Sequence, residues 1–154
     1  MNSNNHITVD QIKNDAEVIK KELVECRHYL HAHPELSFKE ERTTHYIVNK
    51  LKNFGYTDIQ IGFGPLKTGV MVEIGSGRPC VMLRADIDAL PIQEQTGVEF
   101  CSQSKGVSHA CGHDAHITNL LGVAKLLKKY ENSIKGRVKL LFQPAEETRV
   151  KTVS

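Results

Sequence analysis

The segment Ser108 to His116 reads Ser-His-Ala-Cys-Gly-His-Asp-Ala-His and packs three histidines and a cysteine into eight residues, a density that core packing does not require. Cys111 and His113 stand two positions apart across a glycine and can reach one cation from a tight loop. A thiolate and imidazole pair suits borderline-soft divalent ions such as zinc. The same two residue types also drive acyl transfer when the cysteine is the nucleophile and the histidine its base. Chelators separate the two chemistries, because only the metal centre fails when its ion is stripped. A second group, Gln143-Pro144-Ala145-Glu146-Glu147, carries adjacent carboxylates. At a metal, one such acid can hold the ion while the other takes a proton from water, although alone a Glu-Glu pair on a loop is usually just solvated. A third group, Arg84, Asp86 and Asp88, follows the apolar run Val81-Met82-Leu83. An aspartate at the exit of a buried strand caps a helix or orients a ligand.

These groups need elements to bring them together. Ile12, Ala16, Ile19, Leu23, Cys26 and Leu30 recur at steps of three or four, which predicts an amphipathic helix from about Thr8 to His31 ended by Pro34. Cys26 on that stripe reads as a core thiol. Ser37 with Glu40 has the spacing of a capping box, and Ile47, Leu51 and Phe54 mark a second helix from about Phe38 to Asn53, stopped by Gly55. Short β-prone runs follow at Ile59 to Phe63, Val70 to Ile74 and Val81 to Leu83, with Gly75-Ser76-Gly77 as a turn. After an irregular stretch from Ala89 to Ala110, a third helix is marked by Ile117, Leu120, Ala124 and Leu127 and closed by Lys128 and Lys129; Val138 to Phe142 form a further strand. Strand, crossover helix and strand in that order predict an α/β fold, a three-layer sandwich with a mostly parallel or mixed sheet flanked by helices. Functional groups then collect at the carboxyl edge of the sheet, where all three polar groups fall.

Composition narrows the classes. Twenty Lys and Arg against eighteen Asp and Glu leave a net charge of +2 with the signs interspersed, so no concentrated basic face for nucleic acid is present. No apolar stretch is long enough to cross a bilayer or act as a secretion signal, and the expectation is a soluble, cytoplasmic protein without membrane partners. The four cysteines, Cys26, Cys80, Cys101 and Cys111, show no paired framework. One domain is the expectation for 154 residues.

Four phrases occur in order: His-Ala-His-Pro-Glu-Leu-Ser-Phe-Lys-Glu (31 to 40), Leu-Arg-Ala-Asp-Ile-Asp-Ala-Leu-Pro (83 to 91), His-Ala-Cys-Gly-His-Asp-Ala-His (109 to 116) and Phe-Gln-Pro-Ala-Glu-Glu (142 to 147). Together they closely resemble the hippurate hydrolase and N-acyl-amino-acid amidohydrolase branch of the aminoacylase and carboxypeptidase metallopeptidases. The resemblance covers the chain from about Leu23 to Glu147. It implies a site for two divalent ions, zinc, manganese, cobalt or nickel, with Cys111, His113 and Glu147 as ligands and Glu146 as general base. Asp86 and Asp114 match acidic positions that support the site in relatives. The implied reaction is hydrolysis of an N-acyl amino acid, in which Glu146 takes a proton from water and passes it to the departing amine.

The resemblance also implies more chain than is present. Relatives continue past the Glu-Glu pair into further strands, a lid or dimerisation domain and two more histidine ligands, whereas residues 148–154 do not look like that continuation. Residues 1–147 therefore read as the N-terminal part of a catalytic domain, truncated and expected to be inactive in isolation. The competing expectations are a non-catalytic metal-binding chain and a cysteine-dependent acyl transferase.

Overall fold

The computed structural model describes residues 7–148. Helix α1 (Val9–Ala32) starts at a capping box in which the Gln11 N–H donates to Thr8 Oγ1 at 3.2 Å and the Thr8 N–H donates to Gln11 Oε1 at 2.8 Å. It ends two residues before Pro34, whose ring disfavours helical backbone in the residue preceding it. The predicted stripe is buried only towards the C-terminal half, at Cys26 and Leu30; Ile12 near the start is exposed.

Helix α2 (Glu41–Asn53) starts three residues later than the spacing suggests, and the expected Ser37–Glu40 box does not form. Both side chains have stronger partners elsewhere. Ser37 Oγ donates to Asp88 Oδ2 at 2.6 Å, and Glu40 turns inward, fully buried, to accept from Thr68 Oγ1 and from the Ala145 N–H, both at 2.8 Å. The free N–H groups of Arg42 and Thr43 donate to the Glu35 carboxylate at 3.1 and 2.7 Å, so Glu35 supplies the cap and a negative charge at the positive helix end.

Strands β1 (Ile59–Phe63), β2 (Leu66–Ser76) and β3 (Cys80–Asp86) precede helix α3 (His113–Lys129) and strand β4 (Gly136–Gln143). The sheet order is β1-β2-β4-β3, with β1/β2 and β2/β4 antiparallel and β3/β4 parallel, so the sheet is mixed. β2 outruns its predicted length because Gly69 and Gly75 stay within the strand at positive φ; the turn lies beyond, at Gly77 and Arg78. The parallel pair is the one joined through α3, as a crossover requires.

Val70, Val72, Ile74, Leu140, Phe142 and Ala85 point to one face and pack with Ile47, Leu51, Ile117 and Leu121 of α2 and α3. The opposite face carries Glu73 paired with Arg137 and Lys139 at 3.2 Å each. Helix α1 packs against α3, where a Cβ on Gly122 would lie 2.9 Å from Leu23 Cδ1, so a larger residue there would force the Leu23 side chain to move. The α/β class with helices flanking a mixed sheet is thus what the chain adopts. One local expectation is corrected: β3 is not a buried strand. It pairs on one side only among the described residues, leaving Val81 51%, Met82 53% and Leu83 38% exposed.

Candidate metal centre

Parallel pairing places Asp86 beside Gln143, so β3 and β4 deliver their C-terminal residues to the same edge of the sheet. The loop after β4 carries Glu146 and Glu147, and α3 begins there with His113. Gly112 immediately before it has φ +88°, a left-handed conformation that side chains resist, while nothing lies within 4 Å of where its Cβ would sit. The requirement for glycine is therefore conformational, and it turns the chain sharply between Cys111 and His113.

His113 organises the site. Its Nδ1 lies 2.9 Å from the Asp88 carbonyl oxygen and 3.4 Å from Asp88 Oδ1, which commits Nδ1 as the donor and leaves Nε2 as a free lone pair. That lone pair faces Asp86 Oδ2 at 3.5 Å, Glu147 Oε1 at 3.7 Å and Glu146 Oε2 at 4.0 Å. Three carboxylates thus surround one imidazole nitrogen. The nearby protein cation, Arg84, pairs with the other oxygen of Asp86 at 2.6 Å and donates to Gln143 Oε1 at 2.6 Å, so it does not neutralise the glutamates. His116 Nδ1 lies 3.7 Å from Asp86 Oδ2.

Burial lowers the affinity of His113 for a proton, but the contacts with Asp88 and the charge of Asp86 outweigh it and raise its pKa. Asp88 is buried, which opposes its ionisation, yet hydrogen bonds from His113, Ser37 and the Glu147 N–H hold its pKa well below the ordinary carboxylate range. Partial burial of the thiol and its hydrogen bond to Glu147 push the Cys111 pKa up to about 12. A nucleophilic cysteine needs the opposite shift, so this environment disfavours the acyl-transfer alternative. A ligand thiol differs, because a cation can displace the proton itself.

Two sets of donors have all their ligand atoms within 4.8 Å of one another: Cys111, His113 and Glu147, and Asp86, His113 and His116. Donors around a four-coordinate zinc ion sit about 3.4 Å apart, so small side-chain rotations close either set onto an ion. The residues present fit a divalent metal.

The sequence-predicted site residues do not all share one place. Cys111, His113, Glu146, Glu147 and Asp86 converge. Asp114 points away into a second polar network: its Oδ2 pairs with His31 Nδ1 at 2.8 Å and Arg27 Nε at 3.3 Å, and His31 Nε2 reaches Glu94 Oε1 at 3.0 Å. Sequence reasoning grouped Asp88 with Asp86 but assigned it no role, and it did not foresee the work of Ser37 and Glu40. Asp88 accepts the Glu147 N–H at 2.9 Å and Glu40 accepts the Ala145 N–H at 2.8 Å, so two buried acids hold the loop that presents both glutamates. The available signal was the Asp-Ile-Asp spacing, since positions two apart at the end of a strand start out on the same face.

Comparison with known proteins gives the chain its relatives. Residues 82–151 match the model of peptidase family M20/M25/M40. The chain is 43% identical over 143 residues to an N-acyl-L-amino acid amidohydrolase of Geobacillus stearothermophilus, covering 92% of this chain and 38% of that protein. It is 52% identical over 131 residues to an N-acetyl-L-cysteine deacetylase of Bacillus subtilis strain 168, covering 84% of this chain and 31% of that one. A solved Bacillus subtilis structure, described as a dinuclear metal binding peptidase from the M20 family, superimposes with a TM-score of 0.76 at 47% identity over 85% of this chain and 37% of that chain. The chain thus spans about a third of the length of the curated relatives it matches.

Proposed function

We propose, with kinship to peptidase family M20/M25/M40 as the premise, that this chain carries part of the metal centre of an amidohydrolase acting on small N-acyl amino acids, of hippurate hydrolase or aminoacylase type. Residues 1–147 form the N-terminal part of its catalytic domain. Cys111, His113 and Glu147 are the metal ligands and Glu146 is the general base; Asp86 supports the site directly, and Asp114 supports it only from the neighbouring network that it forms with His31 and Arg27. A centre of two ions, zinc, manganese, cobalt or nickel, follows the pattern of the dinuclear relative.

The observation that carries this reading is the convergence of three carboxylates on His113 Nε2. Like charges gathered at one point repel unless a cation joins them. When bound, the metal supplies a Lewis acid that acidifies water and polarises the amide carbonyl. The chain's own residues do the rest. The Asp88 carbonyl holds His113 in the tautomer that offers Nε2. Glu146, more exposed than Glu147, faces solvent where a water can reach it, accepts that water's proton and returns it to the leaving amine. The buried acids Glu40 and Asp88 fix the loop so that Glu146 is positioned before substrate arrives.

Zinc binding by the 154-residue protein, followed by competition with a chromophoric chelator, is the direct test. Expected is binding that His113→Ala abolishes; an unchanged affinity in that variant would refute the assignment. Hydrolysis of N-acetyl and N-benzoyl amino acids should be chelator-sensitive and lost in Glu146→Gln when this segment stands within a polypeptide of the relatives' length. The 154-residue protein alone should give little turnover, because three donors leave much of the coordination sphere open.

A further inference from the structure

We infer that His116 is a metal ligand, and that the described residues provide two alternative seats for a cation that share His113: a soft seat with Cys111 and Glu147, and a hard seat with Asp86 and His116. This rests on the metal centre proposed above and adds a residue and a selectivity to it. His113 and His116 are one helical turn apart on α3, so their rings lie on the same face, with centroids 5.4 Å apart and planes inclined by 28°. Asp86 at the end of β3 reaches both: Oδ2 lies 3.5 Å from His113 Nε2 and 3.7 Å from His116 Nδ1. Its other oxygen lies 2.6 Å from an Arg84 guanidinium nitrogen, on the side away from the two imidazoles that Oδ2 approaches. The His116 side chain is 52% exposed, so packing against the core does not account for its place there.

The seats exclude one another at one atom. His113 Nδ1 is committed to the Asp88 carbonyl, leaving Nε2 as its single ligand lone pair, and one lone pair serves one ion. An ion on Nε2 therefore completes its sphere either with thiolate and Glu147 or with Asp86 and His116. Donor chemistry decides between them. Thiolate favours zinc and cobalt, whereas two imidazoles with one carboxylate form a donor set suited to six-coordinate ions such as iron(II) and manganese(II). Zinc and cobalt should accordingly settle on the Cys111 side and manganese on the His116 side.

The test uses the full chain and two variants, His116→Ala and Cys111→Ser, with circular dichroism confirming that each folds. Manganese binding is read from loss of the free-ion electron paramagnetic resonance signal. Cobalt binding is read from the thiolate-to-cobalt absorption, and zinc binding by chelator competition. Expected is a loss of manganese affinity of about tenfold or more in His116→Ala, with the cobalt absorption retained, and the reverse pattern in Cys111→Ser. Unchanged manganese affinity in His116→Ala would overturn the inference, as would equal losses for both metals in both variants. If the unmodified chain binds none of the three ions, the proposed metal centre fails with it. Binding that His113→Ala removes but His116→Ala leaves intact sinks only the present inference.

Discussion

Two polar clusters meet at the start of α3, one on either side of neighbouring residues, and they are built on opposite plans. Around Asp114 the acids find partners within the protein: His31 bridges Asp114 and Glu94, Arg27 adds a second partner, and Thr96 and the Ser102 N–H donate to Glu94. Around His113 they largely do not. Asp86, Glu146 and Glu147 face one lone pair, and the nearby arginine serves the far oxygen of Asp86. A closed cluster stabilises the fold and has little left to offer a ligand; an open one weakens the fold and is completed from outside. Both were rich in the residue types that mark chemistry, and the share of their acids that meet a basic side chain separates them, although Asp114 Oδ1 is itself buried without a hydrogen bond.

The contrast can be broken by substitution. The largest expected effect is in the open cluster, where His113→Ala should lower zinc affinity by more than about a hundredfold, beyond the loss usual for residues that only support a ligand. Titration calorimetry checks this. Next, zinc affinity should rise with pH by roughly tenfold per unit through the neutral range, because binding displaces the proton from a thiol whose pKa is about 12. In Cys111→Ser that slope should flatten. In the closed cluster, His31→Asn should cost about 1 to 3 kcal/mol in urea unfolding, since buried acceptors lose their partner, while zinc stoichiometry stays the same.

Glu94 gives a pH test of smaller size. Burial opposes its ionisation, but Thr96, the Ser102 N–H and His31 together hold its folded-state pKa at about 2, below the 4.5 of an unperturbed glutamate. A depressed carboxylate contributes stability that is complete above the unfolded value and is lost as pH falls through the folded one. Unfolding measured between pH 4.5 and 2 should therefore show an acid-linked loss that Glu94→Gln removes. The smallest effect has the opposite sign. Metal-free Glu146→Gln should be more stable than the unmodified chain by about 0.5 kcal/mol, as relief of like-charge repulsion at a partly exposed site implies. Destabilisation there would mean the open cluster is already compensated.

Much of this was legible in the sequence. The periodicity of Ile47 and Leu51, the β-prone run Ile59 to Phe63 and the Val138 to Phe142 strand each carry their pattern within a short window, and the elements follow. The Cys111, His113, Glu146 and Glu147 set was legible because each pair is compact and each lies at an element boundary. What escaped was long-range. Glu35 as the cap of α2, Ser37 as a partner of Asp88, and Glu40 as a buried tie between Thr68 and Ala145 depend on segments that meet only after folding. Locally, Ser37 and Glu40 have the spacing of a capping box, and tertiary partners outcompeted that local option. Asp114, which the resemblance marks as a supporting acid, likewise meets partners that no local pattern reveals, His31 and Arg27. The exposure of β3 also lay beyond the pattern, because an apolar run does not reveal how many strands pair with it.

The loop tied down at Ala145 and Glu147 by Glu40 and Asp88 bears on how quickly an ion could be captured. A segment already ordered has no slow search to complete after encounter. Capture should then be limited by the ion shedding its own hydration water, making association rates differ between manganese and nickel far more than between variants of this loop that keep both anchors.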